Sequence, residues 1–481
     1  MTELYALLPA LVLGLGGMVL LTGGVLAKKS ETTPAVTFGA VVLLAVAAVV
    51  NLLAPDTLIW NGLFKTSLFT RYADMLVYLG AIAALILSVD YNKREGIARF
   101  EYPILVLFAV IGMIAMISAA DMLTLYLGFE LQSLALYICA ALARDNLRST
   151  EAGLKYFVLG ALASGLLVYG ISLVYGFAGT TNFAALGEVF RSGTAGVGTI
   201  AGVVFVLVGI AFKISAAPFH MWAPDVYEGA PSSVTALFAT APKAAAMALF
   251  LSVMAGPFGH LTGQWSALIQ ILAVLSMVIG ALAAIGQSNI KRLLAYSSIS
   301  HMGYALMGLA TGTVDGIQAS LVYIAIYVVM SFGVFGCVVA MRRNGQSVEK
   351  ISDLAGLAAE HPGFAFAMAV FMWSMAGIPP LAGFFAKLYV FATAFNAGLD
   401  TLTIIGIVAS VVSAFYYLRV IKVMYFDKGQ PNFERVSAGA GFVMAVGAFA
   451  TIVFVILPGP LMAVAGEAAK ALMAVSYTHL R

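Results

Sequence analysis

Four lysines and one glutamate lie inside apolar stretches of sequence, where charged side chains are rare. The lysines are Lys155, Lys213, Lys243 and Lys387, and the acid is Glu130 in the segment 126–133, Tyr-Leu-Gly-Phe-Glu-Leu-Gln-Ser. A charge at the centre of a membrane helix costs about 2.5–3.5 kcal/mol on insertion scales. Five such residues indicate ion movement, whereas the structural alternative is a set of ion pairs between helices or lysines that reach the membrane surface.

Lysine is the basic residue suited to carrying a proton. Burial lowers the pKa of a lysine and a nearby carboxylate raises it, so a lysine beside a movable charge can load and release a proton. Arginine stays protonated in proteins, and each of the four deep basic positions holds lysine. The pattern therefore predicts a series of proton carriers.

Helix-breaking residues lie close to these lysines. Pro218 follows Lys213 by five residues, and the segment 377–383, Gly-Ile-Pro-Pro-Leu-Ala-Gly, precedes Lys387. Because proline frees a backbone carbonyl that water or protein must then bind, both places predict an interrupted helix beside a hydrated cavity. Pro242 alone predicts no more than a packing kink.

Two histidines are candidate relay groups, because imidazole titrates near neutral pH. His220 follows Lys213 by seven residues and would share its helix face if the interruption preserved the helical phase. His301 lies in the segment 296–303, Tyr-Ser-Ser-Ile-Ser-His-Met-Gly, whose polar neighbours could hold water. A hydrogen-bonded core histidine is the alternative for each.

The elements that position these residues follow from the composition. Of the 481 residues, 62% are hydrophobic and 10% are charged, against about 25% charged in soluble proteins. This composition excludes a soluble domain and predicts an all-α polytopic membrane protein, since the apolar runs suit helices and not the short alternating strands of a barrel. The two cysteines have no metal-ligand spacing, and no nucleotide-binding motif is present, so we expect no redox cofactor or metal in this chain. The net charge of +3 gives no indication of a nucleic-acid partner.

Hydropathy predicts one transmembrane domain with fourteen spans. They lie at approximately 4–27, 33–54, 68–89, 102–120, 122–143, 153–178, 199–222, 231–255, 266–286, 293–312, 316–341, 362–397, 401–426 and 437–464. Sixteen lysines and arginines lie at the ends of odd-numbered spans or in the loops after them, and five lie after even-numbered spans. The positive-inside rule therefore predicts cytoplasmic odd loops, with both termini on the opposite side. The loop 223–230 breaks this pattern, because it holds Asp225 and Glu228 and no basic residue.

Three segments together resemble the antiporter-like subunits of respiratory complex I. They are residues 213–231, Lys-Ile-Ser-Ala-Ala-Pro-Phe-His-Met-Trp-Ala-Pro-Asp-Val-Tyr-Glu-Gly-Ala-Pro, residues 291–303, Lys-Arg-Leu-Leu-Ala-Tyr-Ser-Ser-Ile-Ser-His-Met-Gly, and residues 151–157, Glu-Ala-Gly-Leu-Lys-Tyr-Phe. The resemblance implies fourteen helices, with helices 1–3 in 1–101 and helix 14 in 437–464. It also implies two inverted repeats, 102–256 (helices 4–8) and 266–426 (helices 9–13), with broken helices 7 and 12.

The resemblance also implies roles for the buried charges. Glu130 resembles the fifth-helix glutamate of the family, and Lys155 resembles its sixth-helix partner. Lys213 resembles the central proton carrier, Lys243 the eighth-helix lysine, and Lys387 the residue on the exit side of the twelfth helix. In the family pattern, type M has glutamate at the position of Lys387, and type L is longer, with an added lateral helix. The lysine at 387, together with a chain that ends soon after the fourteenth span, therefore favours the subunit N type.

By resemblance, the chain is a proton-translocating membrane subunit of bacterial NADH-quinone oxidoreductase. The family implies an inner-membrane location, an M-type antiporter-like neighbour and small membrane subunits as partners. It places FMN, the iron–sulfur clusters, NADH and quinone in other subunits. One alternative is an Mrp-type cation/proton antiporter subunit, which shares these motifs. Another is a scaffold for a quinone-reducing arm, in which the buried charges only fix helix packing.

Overall fold

The structure is a computed structural model that describes residues 2–27, 32–191, 193 and 196–477, without the side chains of residues 2 and 475–477. Three basic residues that enter the predicted charge asymmetry, Lys28, Lys29 and Arg481, lie outside the described residues.

The described chain is a bundle of helices. In chain order they are α1 Thr2–Ala27, α2 Thr33–Leu53, α3 Leu68–Arg94, α4 Glu101–Ile117, α5 Met122–Ala140, α6 Leu147–Ala178, α7 Phe183–Arg191, α8 Val197–Ile214, α9 Trp222–Gly229, α10 Ser232–Phe238, α11 Ala241–Ala255, α12 Thr262–Ile285, α13 Ile290–Ala310, α14 Val314–Ala340, α15 Leu357–Glu360, α16 Pro362–Ala376, α17 Ala382–Asn396, α18 Asp400–Phe426, α19 Ala438–Ile456 and α20 Gly459–Tyr477. Two antiparallel hairpins join β1 Thr57–Ile59 to β2 Phe64–Thr66 and β3 Arg342–Arg343 to β4 Gln346–Ser347.

Eleven helical segments among the described residues are long and apolar enough to cross a membrane. Each of the fourteen predicted spans contains at least one helix, and the other three spans correspond to α4, α13 and the pair α16 and α17, which are shorter or more polar. The predicted class, an all-α polytopic membrane protein, is confirmed.

Several boundaries differ from the prediction. The predicted span 437–464 ends at Ile456, and the separate helix α20 begins at Gly459. Pro458 stands between them and, because its nitrogen carries no hydrogen, it cannot continue the ladder of α19. The predicted loops 179–198 and 223–230 contain the short helices α7 and α9. The hairpins, with strands of two or three residues, are too short to give a readable period.

Helix α11, which carries Lys243, and helix α14 lie at the centre of the bundle. In the most apolar 18 residues of the span that comprises α10 and α11, every residue is buried within the chain; the corresponding share is 94% for α14 and 22% for α1. The outer helices expose large apolar side chains, such as Val19, Val411 and Phe449, as expected for surfaces that face lipid. Any charge on the central helices must therefore be bound by the protein itself.

Glycines allow some of these helices to approach closely. Helix α6 packs along α8, and a Cβ atom on Gly170 of α6 would lie 2.7 Å from the nitrogen of Val206 and 2.8 Å from the oxygen of Gly202. These atoms are backbone and cannot rotate away. Contacts of this kind between small residues are typical of membrane helix packing.

We expect Gly170→Ala to lower the free energy of unfolding by about 1–3 kcal/mol, because the added methyl forces α6 and α8 apart. Thermal unfolding of the purified chain in detergent measures the effect. The matched control is Gly165→Ala on the same helix, where a Cβ atom meets nothing within 4 Å. Equal midpoints for the two variants would contradict the close packing.

Candidate functional site

Lys213 lies in the last turn of α8, and its side chain is buried. Only 3% of the residue is exposed. Its ammonium donates a hydrogen bond of 2.7 Å to the hydroxyl of Ser133 on α5 and lies 4.9 Å from the ring centre of Phe129. Glu130, one turn before Ser133, accepts a hydrogen bond from Ser164 of α6 and interacts electrostatically with Lys213. The ammonium is thus held by a neutral hydroxyl near an acid.

Lys243 is the third residue of α11 and is 1% exposed. Its ammonium donates to the carbonyl of Ile214 at 2.8 Å and to the hydroxyl of Ser215 at 2.6 Å. Ile214 is the last residue of α8, where helix carbonyls have no partner within the helix and carry the negative end of the helix dipole. Lys243 therefore caps the C-terminal end of α8.

Lys387 repeats this arrangement in the second half of the chain. It is 3% exposed, and its ammonium donates to the carbonyl of Ala376 at 3.0 Å and to the hydroxyl of Ser410 at 2.9 Å. Ala376 is the last residue of α16. A Cβ atom on Gly377 would lie 2.6 Å from Cδ of Lys387, so the glycine provides the space in which the lysine reaches the helix end.

The backbone leaves the helix in the same way at both places. Ser215 and Gly377 each follow the last helical residue in the left-handed region, with φ of 61° and 79°. Glycine adopts this region freely, but a side chain there costs roughly 1–2 kcal/mol. Serine at 215 accepts that cost while supplying the hydroxyl that Lys243 binds.

The predicted interruptions near Pro218 and in 377–383 therefore coincide with helix ends. The predicted span 199–222 is helical to Ile214, and 362–397 is divided between α16 and α17. Protein groups bind the freed backbone: the amide of Ala217 donates to Ser276 at 2.8 Å, and that of Gly383 donates to Ser374 at 2.9 Å. Pro242 lies in the first turn of α11, after a break at residues 239–240, so it marks a helix boundary and not the predicted kink.

His301 is part of a hydrogen-bonded network within the second half of the chain. Its Nδ1 lies 2.7 Å from the hydroxyl of Tyr323, and its Nε2 lies 3.1 Å from that of Tyr417. Tyr417 continues to Ser297 at 2.5 Å. The ring of Tyr304, which contacts the ring of His301, lies 4.9 Å from the ammonium of Lys387. The ring of Tyr304 thus connects His301 to the ammonium of Lys387.

His220 is placed differently. It lies in the irregular segment between α8 and α9, is half-buried, and its Nδ1 has no hydrogen-bond partner among the described residues. Because the helix of Lys213 ends at Ile214, the helical phase is lost before residue 220, and the condition for a shared face is not met.

Lys155 does not lie with the other three lysines. Its side chain is 42% exposed and pairs with Glu151 at 2.8 Å and Asp225 at 2.7 Å. The predicted partnership of Glu130 with Lys155 is therefore not a direct contact in this structure. The reason is axial distance: the partner of Glu130 on α6 is Ser164, which lies nine residues beyond Lys155, or about 13 Å along the helix.

Asp225 and Glu228 explain the missing basic residues of 223–230. Both lie on α9 and pair with Arg292 of α13, at 2.7 and 3.0 Å. The positive charges thus come from α6 and α13 rather than from the segment itself. Burial alone would raise the pKa of Asp225, but the hydrogen bonds from Lys155 and Arg292 outweigh it and hold that pKa below its ordinary value.

Sequence reasoning missed the serines that bind the lysines, Ser133, Ser215 and Ser410. Serine is common in membrane helices, so its residue type alone gave no indication. The ion pairs of Arg292 were also missed. Their partners, Asp225 and Glu228, lie 67 and 64 residues away in the sequence, so no local pattern indicates them.

Comparison with known proteins decides the family. The sequence model described as NADH:quinone oxidoreductase/Mrp antiporter, transmembrane, matches residues 119–413. NADH-quinone oxidoreductase subunit N 1 of Acidiphilium cryptum is 61% identical over 98% of this chain and 99% of its own length, and subunit N of Rhodospirillum rubrum is 55% identical over 97% and 96%. The chain belongs to the NADH-quinone oxidoreductase subunit N family.

Solved structures agree with this family. A chain of respiratory complex I from Thermus thermophilus with bound aureothin is 31% identical, with a TM-score of 0.81 over 95% of this chain and 98% of that one. A chain of the Mrp complex from Dietzia sp. superposes with a TM-score of 0.88 over 99% of both chains, at 21% identity. The Mrp likeness shows a shared fold, while the subunit N relatives show the family.

We expect Ser215→Gly to reduce proton pumping without lowering the thermal stability of the chain. Glycine relieves the left-handed backbone at this position, so the thermal midpoint should not fall. Lys243 loses its closest hydrogen-bond partner, and proton pumping in membrane vesicles should fall. A Ser215→Ala variant also loses the hydroxyl, but it keeps the left-handed backbone strain. Its thermal midpoint and its proton pumping should therefore both fall. Normal pumping by the glycine variant would contradict a role for the hydroxyl.

We expect Asp225→Asn to destabilise the contact of α6, α9 and α13, because Lys155 and Arg292 then lose a shared carboxylate. The control is Glu151→Gln, which removes one exposed partner of Lys155 and should change the thermal midpoint little. Since the pKa of Asp225 is lowered on folding, its stabilisation is present above pH ~4 and is lost as the pH falls through the folded-state pKa. The Asn variant should lack this acid-sensitive part, as thermal unfolding at stepped pH would measure.

Proposed function

We propose that this chain is a proton-translocating membrane-arm subunit of NADH-quinone oxidoreductase, and that it performs no redox chemistry itself. Besides membership of the family, one structural observation supports the proposal. Among the described residues, three buried lysines, Lys213, Lys243 and Lys387, donate hydrogen bonds only to neutral hydroxyls and helix-end carbonyls. Ammonium groups held in this way are available to exchange protons, because no carboxylate fixes their charge.

The proposed path runs along these three lysines. Lys213 takes up a proton under the influence of Glu130, and Lys243 receives it at the end of α8. The proton then passes the network around His301 to Lys387 and leaves on the non-cytoplasmic side. His220 and Lys155 are assigned secondary roles: His220 is a relay candidate beside the interruption, and Lys155 is the movable partner of Asp225 at the edge of the bundle.

The energy for this movement comes from other subunits. Moving one proton against a membrane potential of 100 mV requires about 2.3 kcal/mol. In the proposal, NADH oxidation and quinone reduction occur where FMN, iron–sulfur clusters, NADH and quinone are bound, outside this chain. A change of state in an M-type antiporter-like neighbour or a small membrane subunit shifts the ion pairs of Asp225 and hence the field at Lys213.

The proposed architecture has fourteen spans in one domain. Helices 1–3 occupy 1–101, two inverted repeats occupy 102–256 and 266–426, and helix 14 lies within 437–464. Helices 7 and 12 are discontinuous. The support is the recurrence of one local arrangement, a left-handed residue after the last helical turn with a lysine at the helix end, once in each repeat. The distribution of basic residues supports cytoplasmic odd loops and periplasmic termini in a bacterial inner membrane.

The Mrp-type antiporter alternative is less well supported. The Mrp chain shares the fold at 21% identity, whereas relatives at 50–61% identity carry the name of subunit N. Sodium-driven proton movement in vesicles without NADH would favour the antiporter, and NADH-dependent pumping favours the present proposal.

We expect Lys213→Ala to reduce NADH-driven proton pumping to less than half in inner-membrane vesicles in which assembly of the complex is verified. Lys213→Arg separates a carrier from a scaffold. It keeps the positive charge for packing but cannot release a proton, so a carrier should fail with arginine and a scaffold should work. The matched control is Lys470→Gln, an exposed lysine paired with Glu467 on α20. An unchanged number of protons per electron in both Lys213 variants would refute the assignment.

A further inference from the structure

A buried aspartate lies on α3, outside the series of lysines. Asp74 is 3% exposed, and its Oδ1 has no hydrogen-bond partner among the described residues. It lies in the predicted span 68–89, where sequence reasoning overlooked it. A buried polar group without a partner costs at least about 1–3 kcal/mol, so an aspartate here calls for a reason.

Asp74 belongs to a polar row on one face of α3. Thr70 precedes it by one turn and Tyr78 follows it by one turn, and residues four apart lie above one another on a helix. The hydroxyl of Tyr78 is also buried and lacks a partner among the described residues. Two unpartnered polar groups on successive turns indicate a shared ligand.

A cavity of about 580 Å³ lies at the N-terminal end of this row. Thr70 contributes to its wall, together with Lys65, Glu188, Ser252 and His260. The walls come largely from 58–67, α7 and 256–260, which follow even-numbered predicted spans. In the proposed orientation all three lie on the non-cytoplasmic side, where protons are released.

The polar row of α3 extends to the level of Lys243 along the helix axes. A Cβ atom on Gly80 of α3 would lie 2.8 Å from the nitrogen of Ala241 at the start of α11, and the far end of α11 shares the cavity with the start of α3. The two helices are therefore antiparallel, and Tyr78 is level with Lys243. Asp74 lies about 6 Å nearer the cavity, at 1.5 Å per residue.

We propose that Asp74 is a proton-binding site that links the depth of Lys243 to the cavity at the start of α3, a release path within the first half of the chain. Asp74 accepts a proton through Tyr78 or water beside it and gives it to water in the cavity, so the carboxyl group returns to its starting state. No other reactant is consumed. This inference rests on the proposed function and adds a release path that does not pass Lys387.

Isosteric substitution tests the inference in the assembled complex. Asp74→Asn keeps the shape but cannot bind and release a proton, so the number of protons pumped per electron should fall, while Asp74→Glu should retain most of it. Normal pumping by the Asn variant would overturn the inference, since a neutral structural role is equally well served by Asn. If Lys213→Ala fails to pump and Asp74→Asn pumps normally, only this inference fails; if both pump normally, the proposed function fails as well.

Chemical modification gives a second measurement that does not depend on folding of the Asn variant. Thr70→Cys should react with a small membrane-impermeant methanethiosulfonate from the non-cytoplasmic side, and pumping should fall only after modification. The two native cysteines, Cys139 and Cys337, are fully buried and give little background in this chain. The control Val77→Cys, at a fully buried position of α3, should stay unreactive. Complete modification of Thr70→Cys without loss of pumping would overturn the inference.

Discussion

The structure depends on binding three ammonium groups inside an apolar bundle. A buried ammonium needs acceptors that water cannot supply in a packed interior, and an intact helix offers none, because its carbonyls are already bonded. Ending a helix inside the bundle releases carbonyls. Lys243 and Lys387 bind such carbonyls at Ile214 and Ala376. The helix ends and the lysines therefore stabilise each other, and neither is favourable alone.

Other features of the centre follow from this pairing. The chain must leave the helix within one residue, which places Ser215 and Gly377 in the left-handed region. The lysine must pass close to the turn, which requires glycine at 377. Serines complete the coordination, because a hydroxyl accepts from an ammonium without bringing a charge of its own.

Much of this could be predicted from the sequence, for reasons that differ between residues. Lys213, Lys243 and Lys387 stand out because a charge in an apolar run is rare, and Pro218 and 377–383 stand out because proline breaks the ladder. The partners could not be predicted, since Ser133 and Ser410 lie 80 and 23 residues from their lysines. Glu130 and Lys155 form no direct pair in this structure, and family likeness gives no axial distance along α6 from which this could be predicted. Asp74 was overlooked because one acid in a long span looks like a boundary residue.

The three lysines of the proposed path are bound differently from the lysines that form ion pairs. Lys155 and Lys291 pair with carboxylates, at 2.7 and 2.6 Å, while the ammonium groups of Lys213, Lys243 and Lys387 have no carboxylate within salt-bridge distance among the described residues. The charge of a paired lysine is balanced by the carboxylate that it contacts. A lysine bound to neutral oxygens responds to charges farther away, and at an effective dielectric constant of about 20 a unit charge at ~7 Å changes its energy by about 2.4 kcal/mol. This is the size of the work needed to move a proton against 100 mV, so displacement of a single carboxylate near Lys213, such as Glu130, is sufficient in magnitude to drive release.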